Sequence, residues 1–361
     1  MPRPTLRTLA KTLGLSRTTI SDALRGSPRV NTDTLARVRA AADAAGYQRN
    51  PLTGEVMSQL RRSNGQMVRG TLAALEIIDN PRAVHVQRYN AAVLQGAMER
   101  ADQLGFKIEH FDATRDDLRL PRIDGILHAR GIRGLVVLPS SGFPDLSSLT
   151  WSRLTAVYAD YFIDRPALHC VCPDHYRSLY VAMQTLHARG FRKAGMVIDS
   201  SFDERLQCRW EGAYLAIQNV LPDIKKLPLL RFTALTKSAF MAWYRKNEPD
   251  VVLSHMTEVI EWMKECGAKI PETHGFLCLN SLRATMPCAS LDHQPRELGA
   301  RAAELVIGHV IQNEFGPPAM PSLTSIPARW TEGPTVRLAA PKEPVLAAPA
   351  PETRRPTAGK R

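Results

Sequence analysis

The chain has 361 residues, 44% of them apolar, which is enough for two or three compact units with real cores; no apolar run reaches the eighteen residues of a membrane span. The formal net charge is +12, carried at the ends: residues 1–62 hold eleven Lys+Arg against four Asp+Glu, residues 337–361 six against two, and the 274 residues between them thirty against twenty-nine. The Met-Pro-Arg-Pro-Thr start lacks an apolar signal segment, so a cytoplasmic location is expected, and the six cysteines, scattered through apolar contexts, read there as small buried hydrophobes.

In chain order, Leu6, Leu9, Ala10 and Leu13 repeat at helical spacing. Gly14 suits a left-handed helix stop and Ser16 can cap a second helix, in which Ile20, Ala23 and Leu24 turn inward. Arg17, Thr18, Ser21, Asp22 and Arg25 fall on its opposite face. Short polar groups on a rod that fits the major groove are what base reading requires. A third helix follows Asn31-Thr32, with Leu35, Val38, Ala42 and Ala45 as its inner stripe, Gly46 as its stop and Tyr47 packed beneath. Asn50-Pro51 then restarts a helix to about Arg62, and Ser63-Asn64-Gly65 is a linker. Pattern and positive charge coincide, so residues 1–50 read as an all-α helix-turn-helix headpiece that contacts a duplex polyanion, and residues 51–69 as a hinge helix and linker.

From residue 70 strands and helices alternate. Leu72–Ile78, Phe106–Phe111, Leu135–Leu138, Leu154–Tyr158, Gly195–Ile198, Leu227–Leu230, Val251–Leu253 and Gly275–Leu279 are strand-like; Tyr89–Leu104, His175–Arg189, Glu204–Val220, Glu258–Cys266 and Glu297–Gln312 are helical. Such alternation means parallel sheets with helices on both faces. About nine strands exceed one compact sheet, so residues 70–336 are expected to form an α/β core of two lobes, with a ligand between them at the carboxyl ends of the strands. Residues 337–361, Pro/Ala-rich and basic, read as a disordered tail.

His255 and Asn280 lie at strand ends where a cleft residue would sit, and Asp160 follows the strand over 154–158, as a ligand acceptor or a capping Asp. Arg209 either holds a ligand or pairs with Glu204 or Glu211. His169-Cys170-Val-Cys172 with His175 invites a zinc reading, but no second Cys/His pair stands at ligand spacing, so no metal is expected. No nucleophile elbow, phosphate-cradling glycine loop or paired-carboxylate site is present in the sequence, so neither an enzyme nor a cofactor is expected.

The chain resembles the lac-repressor (LacI/GalR) family of bacterial transcription regulators. Over residues 5–52 the likeness rests on Thr5-Leu6, Leu9-Ala10, Gly14-Leu15-Ser16, Thr18-Thr19-Ile20-Ser21, Ala23-Leu24, Gly26-Ser-Pro-Arg-Val30, Gly46-Tyr47 and Asn50-Pro51-Leu52; in the core it rests on Gly96, Asp174, Arg209-Trp210-Glu211-Gly212 and Gln294-Pro295…Glu297-Leu298-Gly299, among others. The resemblance implies a headpiece, a hinge helix and a two-lobed core like a periplasmic sugar-binding protein. It implies a homodimer on a palindromic operator of double-stranded DNA, with affinity set by a small-molecule effector, a sugar or sugar-like metabolite being the family's usual kind. Carried over residue by residue, it makes Thr5, Leu6, Ser16, Arg17, Thr18, Thr19, Ser21, Asp22, Arg25, Arg29 and Asn50 candidate DNA contacts, with Val56 and Met57 in place of the hinge wedge. Asp160 and Arg209 are its candidate effector contacts, beside His255 and Asn280. Departures include Asp22, where the family often has Arg, Val56 for a Leu, Gly54 in the hinge helix, and Cys278-Leu-Asn-Ser281 for a Gly-Phe-Asp-Asp segment. The alternatives are a small-molecule-binding or degenerate enzyme domain with a vestigial headpiece, and a repressor that needs no ligand.

Overall fold

The computed structural model describes residues 6–24, 30–44, 70–77, 83–113, 119–140, 142 and 144–338, and the chain divides into two compact units, Met1–Val68 and Arg69–Arg361. The first unit contains α1 (Leu6–Leu13), α2 (Arg17–Leu24) and α3 (Thr32–Ala44). Gly14 ends α1 at φ 65°. Ser16 Oγ accepts from the Thr19 N–H at 3.0 Å to open α2, and Asn31 Oδ1 accepts from the Thr34 N–H at 2.8 Å to open α3. Leu9, Ala10, Ile20, Ala23, Val38 and Ala42 close a small core. The third helix's expected stop at Gly46, Tyr47 beneath it, the hinge helix and the tail from residue 339 onward lie outside the described residues.

In the second unit β1 (Gly70–Glu76), α4 (Val84–Gln103), β2 (Phe106–Asp112), α5 (Leu120–Ala129), β3 (Gly134–Val137), β4 (Thr155–Tyr158) and β5 (His169–Asp174) begin one lobe. The other follows: α6 (His175–Ala188), β6 (Ala194–Asp199), α7 (Ser200–Arg205), α8 (Arg209–Ile217), β7 (Leu230–Phe232), α9 (Lys237–Asn247), β8 (Val251–Ser254), α10 (Val259–Glu265), β9 (Gly275–Cys278) and β10 (Ala289–Asp292). The chain then returns through α11 (Pro295–Gln312) and β11 (Leu323–Pro327), and crosses a last time into β12 (Arg329–Thr331). The first sheet runs β11-β5-β4-β3-β1-β2, the second β12-β10-β9-β8-β6-β7. All neighbours are parallel except β10 and β12.

Strand pleating explains the two-faced burial. In β1, Leu72 and Ala74 feed one apolar cluster while Ala73 and Leu75 feed the opposite one. In the second sheet Val251, Leu253 and Leu277 face one way and Val252, Phe276 and Cys278 the other. Strands covered on both faces read as continuous apolar runs, which is why these were legible in the sequence. Four strands were not foreseen. β11 and β12 alternate between exposed and half-exposed residues at the sheet edges, and β5 and β10 dilute their apolar residues with His, Pro, Ser and Asp. Helices α5 and α9 were also missed, and β7 begins at Leu230 rather than Leu227, whose N–H is held instead by Gln218 Oε1 at 2.7 Å.

The helix expected over 204–220 is two helices. Gln207 and Cys208 both take left-handed backbone (φ 57° and 54°), and the Asp203 carboxylate opens α8 by accepting from the N–H groups of Trp210 and Glu211, each at 3.1 Å. Two cysteines depart from the buried reading: Cys208 is exposed and Cys266 half-exposed.

Candidate functional site

A cleft of about 350 Å³ lies between the two lobes at the carboxyl ends of the strands. Ser140 after β3, Asp160 after β4 and Pro173 at the end of β5 line it from the first sheet; Phe202 and Arg205 after β6, Asn280 after β9 and His293 after β10 line it from the second. His85, Tyr89 and Asn90 of α4 and Arg283 beyond Asn280 complete the wall.

An ion pair joins the lobes across this cleft. Asp160 Oδ2 accepts from Arg205 Nη1 at 2.8 Å, while Oδ1 accepts from the Tyr161 N–H at 2.9 Å. Burial opposes the charge on Arg205, but the Asp160 carboxylate outweighs it, and the guanidinium holds its proton more tightly than usual. The helix break explains why Arg205 stands here. A continuous helix through residue 208 would carry the register of α7 into Arg209; the break ends α7 at Arg205 and turns Trp210 into the core.

Three imidazoles, those of His175 and His293 in the cleft wall and of His255 outside it, lie around the fully buried Trp210. His175 lies 4.7 Å from it, ring centre to ring centre, His255 5.5 Å and His293 5.8 Å. Burial lowers the pKa of all three, that of His293 to about 4, so they are neutral. His293 Nε2 lies 2.8 Å from the Leu279 carbonyl, which can only accept; Nε2 therefore carries the proton and Nδ1 is a bare acceptor with no partner. Tyr161 Oη donates to the Pro173 carbonyl and so accepts from His175 Nδ1 at 2.8 Å, which leaves His175 Nε2 unprotonated. Asn90 Nδ2 donates to Glu76 Oε1 (3.1 Å) and the Pro139 carbonyl (2.9 Å), leaving Oδ1 without a partner.

Of the four candidate effector residues, Asp160 and Asn280 line the cleft; Asn280 Oδ1 also accepts from the Leu282 N–H at 3.0 Å. Arg209 and His255 are not among its lining residues. The Arg209 guanidinium lies 4.6 Å from the Tyr161 ring centre with Nε unpartnered; its anticipated ion pair is absent, Glu211 being taken by Arg231. His255 stacks edge-on to Phe202 at 5.1 Å. Sequence reasoning missed Arg205, Arg283, Phe202, His85, His175 and His293 as cleft residues. For all but His85, which lies on α4, the available signal is a place within a few residues of a strand end, hidden for His175 and His293 because β5 and β10 carry no continuous apolar run and for Arg205 because the helix breaks after it.

The cysteines of the rejected zinc reading are protonated thiols: burial pushes Cys170 up to about 12, and Cys172 further still. Asp203, Cys208 and Glu211 do bring ligand atoms within 4.8 Å of one another. The two carboxylates are already committed, Asp203 to the start of α8 and Glu211 to Arg231.

In the first unit Ser16 is exposed and its Oγ is 2.8 Å from Thr19 Oγ1; Asp22 is half-buried on α2. Leu6 lies on α1, and Arg17, Thr18 and Ser21 lie on α2, while Thr5, Arg25, Arg29, Asn50, Val56 and Met57 fall outside the described residues. Among the described residues no helix is long and apolar enough to cross a membrane.

Two mainly parallel sheets with a cleft at the carboxyl ends of their strands define a two-lobed α/β core. No family model matches the chain. It is 28% identical over 333 residues to the HTH-type transcriptional regulator GntR of Pseudomonas aeruginosa, covering 86% of this chain and 91% of that protein. Over 104 residues it is 32% identical to the maltose regulon regulatory protein MalI of Vibrio furnissii, 29% of this chain and 66% of that one. The crystal structure of the lac repressor dimer bound to operator and the anti-inducer ONPF superposes with a TM-score of 0.50 at 15% identity, covering 92% of this chain and 99% of that one. By these likenesses the chain is similar to transcription regulators of the lac-repressor (LacI/GalR) family.

Proposed function

We propose that this protein is a DNA-binding transcription regulator that recognises a palindromic operator as a homodimer and answers to a small molecule in its interlobe cleft. The Asp160–Arg205 bridge is the observation that carries the regulatory half of this reading. A ligand shifts an equilibrium only by binding one lobe arrangement better than another, and a molecule that competes for either partner of the bridge meets that condition. The basic N-terminal unit carries the other half. Arg17, Thr18 and Asp22 on α2 read base edges, Asp22 accepting from a cytosine amino group, while Ser16, Thr19, Ser21, Arg25 and Arg29 position the unit on phosphates. Thr5, Leu6 and Asn50 flank it, with Val56 and Met57 reaching the minor groove at the dyad.

The test is selection from a random duplex pool with the full chain. The expected product is a twofold-symmetric sequence bound by a dimer, and Asp22→Asn should change the preferred base at one symmetric position per half-site by about 1–3 kcal/mol. A pool that returns no enriched sequence defeats the DNA-binding reading. An unchanged preference in the variant makes Asp22 an orienting residue instead.

A further inference from the structure

Arg283 ends a single turn, Ser281–Arg283, that hangs over the cleft just beyond β9. Its guanidinium lies 5.5 Å from the Phe202 ring centre, on a ring that also carries Arg205 at 5.8 Å. Arg205 is neutralised by Asp160, but Arg283 makes no ion pair and no side-chain hydrogen bond among the described residues. Asp199 and Glu258 lie within its field without reaching ion-pair distance, and Asp199 spends an oxygen on the N–H groups of Ser201 and Phe202. His85, from the other lobe, lines the same end of the cleft and is depressed by burial and by Arg283. A half-buried guanidinium with five donors and no acceptor is an unmet demand for an anion.

Opposite needs stand along the rest of the wall. Asn90 Oδ1 and His293 Nδ1, on residues 2% and 3% exposed, are acceptors without donors, and His175 Nε2 is unprotonated. Ligand hydroxyls supply such donors, as water would.

We propose that Arg283, with Phe202 beneath it and His85 beside it, is an anion subsite, and that the cleft's ligand is a hydroxylated monocarboxylate rather than a neutral sugar. This rests on the effector reading above and narrows it. A planar guanidinium matches a carboxylate two-pronged. Among the described residues of the wall Arg283 is the unpaired guanidinium, which balances one negative charge, and Asp160 and Asp199 in the same wall disfavour a phosphate dianion. Hydroxyl groups then meet Asn90, His293 and His175.

Calorimetry on the full-length protein with matched pairs tests it: glucuronate against glucose, galacturonate against galactose, gluconate against glucitol, with glucose 6-phosphate as the dianion. At least one acid should bind about tenfold or more tightly than its neutral partner. Arg283→Gln should reduce that preference to within about twofold, and Arg283→Lys should keep part of it; melting curves establish that both variants fold. A neutral sugar bound better than its acid, a phosphate bound best, an acid preference surviving Arg283→Gln, or no binding by any compound overturns the subsite. Operator affinity measured alongside separates the two readings. Acid binding without effect on DNA keeps the subsite and removes the regulatory role, whereas a neutral sugar that shifts DNA affinity does the reverse.

Discussion

At the scale of the residue, the buried imidazoles around Trp210 couple stability to pH. In the unfolded chain each titrates near 6.5; in the folded core burial lowers His293 to about 4 and holds His175 and His255 below their ordinary value. Between those limits the unfolded chain binds more protons than the folded one. Stability is therefore complete above about pH 6.5 and is lost as pH falls toward 4. For His293 the difference amounts to about 3 kcal/mol. The urea midpoint of the core should fall steadily from pH 7 to pH 5, and His293→Gln should flatten the decline. A variant curve parallel to the parent's would assign the loss to other groups.

At the scale of the element, α4 and α11 meet backbone to backbone. A Cβ at Gly96 would stand 1.9 Å from the Arg296 carbonyl oxygen, and one at Gly299 1.8 Å from that of Val93. Only glycine permits this approach, which brings α11, arriving from the second lobe, onto the first sheet. Gly299→Ala should cost about 1–3 kcal/mol or more, because neither main chain can yield cheaply. Gly125, exposed on α5 with nothing within 4 Å, provides the contrast: Gly125→Ala should stabilise by up to about 1 kcal/mol. Denaturant midpoints of the two variants should move in opposite directions; a shared sign would contradict the packing account.

At the scale of the whole molecule, charge is segregated from the core. The N-terminal 62 residues carry a net +7, while residues 63–336 carry +1. DNA affinity on the proposed reading should therefore fall steeply with salt, by about 0.9 in the log–log slope for each phosphate contacted. Two joined units gain effective concentration on a palindrome. Fluorescence anisotropy with full and half operators should show a steeper salt slope and tighter binding for the full site; a flat response would remove the phosphate contacts from the account.

Much of this molecule was legible one residue at a time. Gly14, Ser16 and the apolar spacing in α1 and α2 act locally, through backbone freedom, a short-range cap and helical period, so no distant contact was needed to read them. The doubly covered strands were legible for the same reason: burial on both faces leaves a continuous apolar run. The cleft was legible only as a location. Asp160 and Asn280 were legible because strand ends in a two-lobed α/β core face the cleft between the lobes. Arg205, not Arg209, became the partner of Asp160 because Gln207 and Cys208 break the helix, and that break depends on Asp203 reaching the N–H groups of Trp210 and Glu211. Arg283 is unpaired because Asp199 and Glu258 stay beyond ion-pair distance, and His293 Nδ1 is an acceptor because the Leu279 carbonyl accepts from Nε2–H and so fixes the proton there. These outcomes depend on side chains that meet only once the chain has folded back on itself, from Asp203 reaching seven residues along to Asp199 facing Arg283 across 84; helical or strand period along the sequence carries no record of them.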